Sequence, residues 1–180
     1  MLQYSLIVLQ VTKVISSCCE VLLKTLNHST CLQLFRFAES LCLDRLYSLA
    51  KRHILYYFKQ VCSTESFLEL NVKEIVGILL NKYINCATEI DIVDAVYKWY
   101  KHDIEEREGC MKCVLDCVVI EDLYAEEWIN LSKHELVTQS ETAQAWFREK
   151  EHGRCYHKKS LNKVGIFARD KYFYFLIDLV

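Results

Sequence analysis

Residues 28–62, HSTCLQLFRFAESLCLDRLYSLAKRHILYYFKQVC, constrain the fold more than any other stretch. Ser29 or Thr30 can cap a helix N-terminus by accepting a hydrogen bond from a free backbone N–H. Apolar residues then fall at Cys31, Leu34, Phe35, Ala38 and Leu41, the spacing of one buried helix face. Asp44 is the expected cap of a second helix, on which Leu46, Leu49, Ala50, His53, Ile54, Tyr57 and Val61 continue the pattern. Two amphipathic helices joined by so short a link are antiparallel neighbours. The same apolar positions serve equally as the core of a helical hairpin or as contacts for a partner.

Composition extends the helical expectation to the whole chain. The 180 residues include no proline and four glycines, so helices run without the usual breakers and no Gly- or Ser-rich linker appears. The fold class is therefore all-α, a stack of antiparallel helical hairpins. A net charge of −2 with acids and bases interspersed gives no field for a phosphate backbone, which argues against nucleic acid as a partner. The segment Arg148–Lys163 is basic but carries Glu149 and Glu151, as a solvated linker does. Ten cysteines without a secretory signal indicate free thiols in a reducing, cytoplasmic setting. The apolar run Leu2–Val11 falls well short of the roughly twenty residues that span a bilayer, so no membrane role is expected.

Along the rest of the chain, residues 2–26 read as two helical pieces with Thr12 as a cap between them, the second carrying Val14, Ile15, Cys18, Cys19, Leu22 and Leu26 on one stripe. Ser63 or Thr64 opens a short turn with Phe67 and Leu68, and Asn71 with Glu74 has capping-box spacing ahead of Val72, Ile75, Val76, Leu79 and Leu80. Thr88 caps a helix bearing Ile92, Ala95, Val96 and Trp99; the Trp99 indole N–H needs a partner once buried. A helix over 104–120 has Met111, Val114, Leu115 and Val118 as its stripe. Leu123, Trp128, Ile129 and Leu131 come next, and Ser140 caps a last helix that Gly153 is expected to stop.

Two constellations could carry chemistry. His102 followed by Asp103 has the form of an oriented base, but a histidine in a last helical turn also complements the dipole, and Asp103 can cap the succeeding helix. Cys110, Cys113 and Cys117 lie at helical spacing and include a C-x-x-C, half of many zinc sites; only Cys86 or His102 are at hand to complete four ligands. Small buried hydrophobes are the leading account of these thiols. No glycine-rich phosphate loop, G-x-S-x-G or H-E-x-x-H is present. No catalytic residue, metal ligand or cofactor is assigned. The alternatives left open are a zinc- or thiol-dependent interaction domain and a Cys/His enzyme.

The run NHSTCLQLFRFAESLCLDRLYSLAKRHILYYF resembles the start of the BACK domain of BTB-BACK-Kelch (kelch-like) proteins, through Asn27, Cys31, Leu32, Phe37, Ala38, Leu46, Ala50, Ile54 and Phe58. Glu89, Ile92 or Val93, Ala95 or Val96, Trp99, His102 and Asp103 resemble the family's V-x-S-E-x-x-V-x-x-A-x-x-W-x-x-H-D pattern, with Ile104 where a proline is usual. The resemblance divides the chain into 1–26, the last helices of a BTB domain; 27–152, the BACK domain, with its 3-box at about 27–62; and 153–180, a linker and degenerate start of a kelch blade. Within the last segment, KVGIFARDKYFYFLIDLV has the composition of a short β-hairpin-like tail.

The resemblance implies a non-catalytic substrate adaptor of a cullin-RING (cullin-3 type) ubiquitin ligase. Its cullin-binding residues would be Leu34, Phe35, Ala38, Leu46 and Tyr47. The family's hydrophobic-x-Glu loop, its dimer surface and its Gly-Gly propeller repeats are not found in the sequence, so the expectation is a truncated adaptor with weakened cullin binding and doubtful dimerisation.

Overall fold

A computed structural model describes residues 2–120 and 123–157, and these form helices and their short connections. In chain order the helices are α1 (Leu2–Lys24), α2 (Cys31–Ser40), α3 (Asp44–Tyr56), α4 (Phe58–Val61), α5 (Glu65–Leu68), α6 (Val72–Leu79), α7 (Glu89–His102), α8 (Ile104–Arg107), a 3-10 turn (Glu108–Cys110), α9 (Met111–Leu115), α10 (Ala125–Ser132), α11 (Glu135–Gln139) and α12 (Glu141–His157). The expected β-hairpin-like tail falls on residues outside those described.

Helix α1 is one helix where two were expected. With no proline or glycine to break it, Thr12 stays within the helical run rather than capping it. Its buried side is Cys19 with Leu22 and Leu23, which pack on Ala38, Leu43, Leu46 and Tyr47, whereas Val11, Val14, Ile15 and Cys18 are exposed, three of them members of the expected stripe. Helix α2 starts through Asn27 and not through Ser29 or Thr30. The Asn27 Oδ1 accepts from the Ser29 and Thr30 N–H groups at 2.9 and 3.1 Å, and the Thr30 hydroxyl turns back to the Thr25 carbonyl at 2.6 Å.

The α2–α3 reversal is a complete Schellman cap. The Leu43 N–H donates to the Ala38 carbonyl at 2.8 Å and the Cys42 N–H to that of Glu39 at 3.2 Å, with Leu43 against Ala38 as the accompanying apolar contact. Cys42 occupies the left-handed position, φ 53°, where glycine is usual. Asp44 is the first helical residue of α3 and not its cap; its carboxylate complements the dipole there. Helix α3 stops at Tyr56, earlier than the periodicity indicates. Asn85 takes its terminal carbonyls, the backbone N–H bonding Leu55 at 2.9 Å and the side-chain amide Tyr56 at 3.0 Å. The chain kinks at Tyr57 and resumes as α4, which buries Phe58 and Val61.

The main core joins α2–α7 to α9–α12, and Trp99 and Trp146 are the largest fully buried side chains in it. The Trp99 indole N–H donates to the Leu70 carbonyl at 2.7 Å. The Arg107 guanidinium lies 4.2 Å over the Trp99 ring and donates to the carbonyls of Trp99 and Leu68. The expected 104–120 helix is instead α8, the 3-10 turn and α9: Gly109, a poor helix former, sits where the ladder tightens and the Met111 N–H reaches back only three residues to the Glu108 carbonyl. Trp146 donates to Asp116 at 2.9 Å. The Asn71/Glu74 capping box forms as its spacing indicates, and the Ser140 hydroxyl accepts from the Ala143 N–H at 3.0 Å. Gly153 lies inside α12, which continues to His157. Trp99 is buried, while Phe35 and Leu49, both on the expected apolar stripes of the hairpin, are half-buried.

Replacing Trp99 with alanine is expected to cost about 3–5 kcal/mol, because it empties a large buried volume and orphans the Leu70 carbonyl. Urea unfolding monitored by circular dichroism measures this. Cys42→Gly is expected to stabilise slightly, by about 0.5–1 kcal/mol, as relief of the left-handed cost outweighs the greater freedom of an unfolded glycine. A higher urea midpoint at unchanged slope is the readout.

Candidate functional site

The α2–α3 hairpin offers the surface best suited to a partner. On α2, Cys31, Leu32, Leu34 and Ala38 face inward, leaving Phe37 and Leu41 exposed and Phe35 half-buried. On α3, Leu46, Ala50, Ile54 and Leu55 are buried and Tyr47 is half-buried. Across the hairpin the Phe35 and Tyr47 rings stack at 4.7 Å, and Lys51 lies over Tyr47 at 5.7 Å.

Two clefts flank this pair of helices. One, of about 330 Å³, opens between the hairpin and α6; Ile54, Leu55 and Ile78 form its apolar part, Phe35 and Tyr47 line it, and Glu39, Lys51 and Lys73 add charge. The other, of about 240 Å³, lies between the end of α1 and α2 and is lined by Leu22, Thr25, Thr30, Gln33, Leu34 and Phe37. Of the five hairpin residues expected to touch a partner, Leu34 lines the smaller cleft and Phe35 and Tyr47 the larger. Ala38 and Leu46 are fully buried beneath α1. Phe37 and Leu22 also line the smaller cleft and are not among the five; Phe37 lies off the periodic stripe of α2, and periodicity cannot show which element covers a stripe.

Three carboxylates tie together segments distant in the chain, one of them beside this surface. Glu74 receives both the Nε and an Nη of Arg36, at 2.5 and 2.9 Å, and so ties α6 to α2. Asp91 accepts from the Ala87 and Thr88 N–H groups at 2.9 and 3.3 Å and from Lys59 at 3.2 Å. Glu108 accepts from the Tyr100 hydroxyl at 2.6 Å, the Ser140 hydroxyl at 3.0 Å and the Thr142 N–H at 2.9 Å. Burial opposes ionisation of each, yet these donors hold all three below the usual carboxylate range.

The cysteine stripe is not a single helical face. Cys110 lies in the 3-10 turn, Cys113 is exposed on α9, and Cys117 is buried in the turn after it. The Cys110 and Cys117 thiols donate to the carbonyls of Arg107 and Cys113, and burial raises both, Cys117 to about 12, the opposite of an activated thiolate. His102 is exposed, and Asp103 accepts from the Glu106 N–H at 3.2 Å to start α8. Among the described residues, no three His, Cys, Asp or Glu side chains converge to hold a metal ion, and no helix is long and apolar enough to cross a membrane.

Comparison with known proteins agrees with this architecture. The profile of the family described as BACK, "BTB And C-terminal Kelch", matches residues 31–133, more than half of the chain. Kelch-like protein 28 of Homo sapiens is 34% identical over 110 residues, 61% of this chain and 19% of that protein. Kelch-like protein 40b of Danio rerio is 31% identical over 133 residues, 73% of this chain and 22% of that protein. Gigaxonin of Mus musculus is 31% identical over 106 residues, 59% and 18% respectively. The chain thus spans about a fifth of the length of the curated relatives it matches.

The clamps make stability dependent on acid. For a carboxylate whose folded pKa is depressed, the unfolded chain binds more protons, so its contribution is complete above the unfolded value and is lost as pH falls through the folded one. Stability is therefore expected to decline progressively below about pH 4.5, the ordinary value of Glu74 and Glu108. Urea midpoints measured from pH 7 down to 3 check this. Because the Arg36–Glu74 pair is partly exposed, Glu74→Gln should cost only about 1 kcal/mol at neutral pH and should flatten the acid slope.

Proposed function

The chain belongs to the BACK family of the BTB-BACK-Kelch proteins, and from that premise we propose that it is a non-catalytic, cytoplasmic protein-interaction module, an adaptor for a cullin-RING ubiquitin ligase of the cullin-3 type. The scaffold binds, and the ligase supplies the chemistry. The contact is assigned to the 3-box hairpin at 27–62. The observation that carries the reading is the apolar cleft between α1 and α2, rimmed by Leu22, Leu34 and the exposed Phe37, beside a second cleft framed by the Phe35–Tyr47 stack. Such clefts suit an extended or helical segment that buries a few apolar side chains.

Within this reading Leu34, Phe35 and Tyr47 touch the scaffold directly. Ala38 and Leu46, being fully buried, act by seating α1 against the hairpin and so shaping the smaller cleft. The family likenesses support an adaptor role for the domain; kelch-like proteins recur among the relatives.

The test is calorimetric binding of the chain to the N-terminal region of cullin-3. The wild-type chain is expected to bind, and Phe37→Glu to weaken binding by about tenfold or more with an unchanged thermal midpoint, since Phe37 lies at the surface. If the wild-type chain gives no binding at high micromolar scaffold, the adaptor reading is wrong; if Phe37→Glu binds as tightly as wild type, the α1/α2 cleft is not the contact.

A further inference from the structure

We propose that His28 and His53 form a two-point site for a borderline divalent transition-metal cation of the zinc and nickel class, at the end of the hairpin remote from the Cys42 turn. The Nδ1 of His28 and the Nε2 of His53 face each other at 3.2 Å, although 25 residues separate them in sequence. Two imidazole nitrogens at Zn–N distances of about 2.0–2.1 Å and a tetrahedral angle stand about 3.3 Å apart. The pair is therefore already at chelating separation. Imidazole is a ligand these cations favour.

The rings are also held in place. Tyr57 packs on both, with centroids 4.8 Å from His28 and 4.6 Å from His53, and the two imidazoles are 5.2 Å apart and tilted by 38°. The backbone on each side is fixed independently: the turn that carries His28 by the Asn27 and Thr30 bonds, the end of α3 by Asn85. Both histidines are only half-buried, so an ion can enter from solvent.

In the absence of an ion, one facing nitrogen carries the hydrogen and the other accepts it. On binding, the ring that carries it shifts tautomer, placing its hydrogen on its other nitrogen, and both lone pairs then meet the cation. A neutral pair releases no net proton. With two protein ligands, water fills the remaining positions, so the site is one of moderate affinity. An ion bound there links the start of α2 to the last turn of α3.

The experiment uses the full chain in a non-thiol reductant, titrated with nickel and with zinc and followed by calorimetry and by thermal unfolding. The expected result is binding with a midpoint that rises with metal concentration. His28→Gln and His53→Gln should each weaken it on the order of tenfold or more as two-point attachment becomes one-point. Wild-type affinity in both variants, or no binding by the wild-type chain, overturns the proposal. Should either variant fail to fold, nitrogen-15 spectra of the histidine rings of the wild-type chain decide it. Zinc must move the ring signals of His28 and His53; movement confined to the other four histidines, or none, refutes the site. The outcome does not depend on scaffold binding, so the failure of either proposal leaves the other standing.

Discussion

The fold depends on how the Trp99 side chain is fastened. Its indole hydrogen reaches back to the Leu70 carbonyl in the link between α5 and α6, and one face of the ring is covered by Arg107, whose guanidinium also holds the carbonyls of Trp99 and Leu68. One aromatic body thus ties the end of α7 to the end of α8 and to a backbone segment some thirty residues earlier. The polar groups it buries are satisfied within the knot, which is the condition for a large amphipathic side chain to sit in a core. The break between α8 and α9 lies just past that arrangement, in the 3-10 turn Glu108–Cys110.

Features written in adjacent residues were legible in the sequence. The Asn71/Glu74 box, the Ser140 cap and the need of Trp99 for an acceptor each arise from local chemistry and each is present. Features set by a neighbour distant in the chain were not. Asn85 ends α3 from the α6–α7 connection, and Arg36 meets Glu74 38 residues away. Local spacing alone also left a choice open: Asn27, and not Ser29 or Thr30, caps α2, with the Thr30 hydroxyl turned back to the Thr25 carbonyl. Periodicity showed that Leu34, Ala38 and Leu46 are apolar. It could not show that two of them lie under α1 while the third opens to a cleft, since a helix covered on two sides carries two stripes.

The two-sided covering of α2 also accounts for the shape of the candidate site. Helix α2 is held between α1 on one side and the main core on the other; Phe35, at the edge of the main core, borders one cleft and the exposed Phe37 the other. One clamp braces a wall: Glu74 joins α6 to α2 beside the larger cleft, and its capping role starts α6 at the same point. A surface so braced changes little on meeting a partner, which reduces the ordering cost of association.

A thiol-bearing residue at the left-handed position of the α2–α3 reversal indicates which part of the hairpin dictates its geometry. A glycine there would let the link adopt many directions and leave the choice to the loop; Cys42 adopts this backbone only where its surroundings impose it. The crossing of the two helices is therefore decided by the faces they press together, with the link conforming to them. Divergence in the loop should then leave the hairpin intact, while a change in the pressed faces would re-aim both helices together with the clefts on either side.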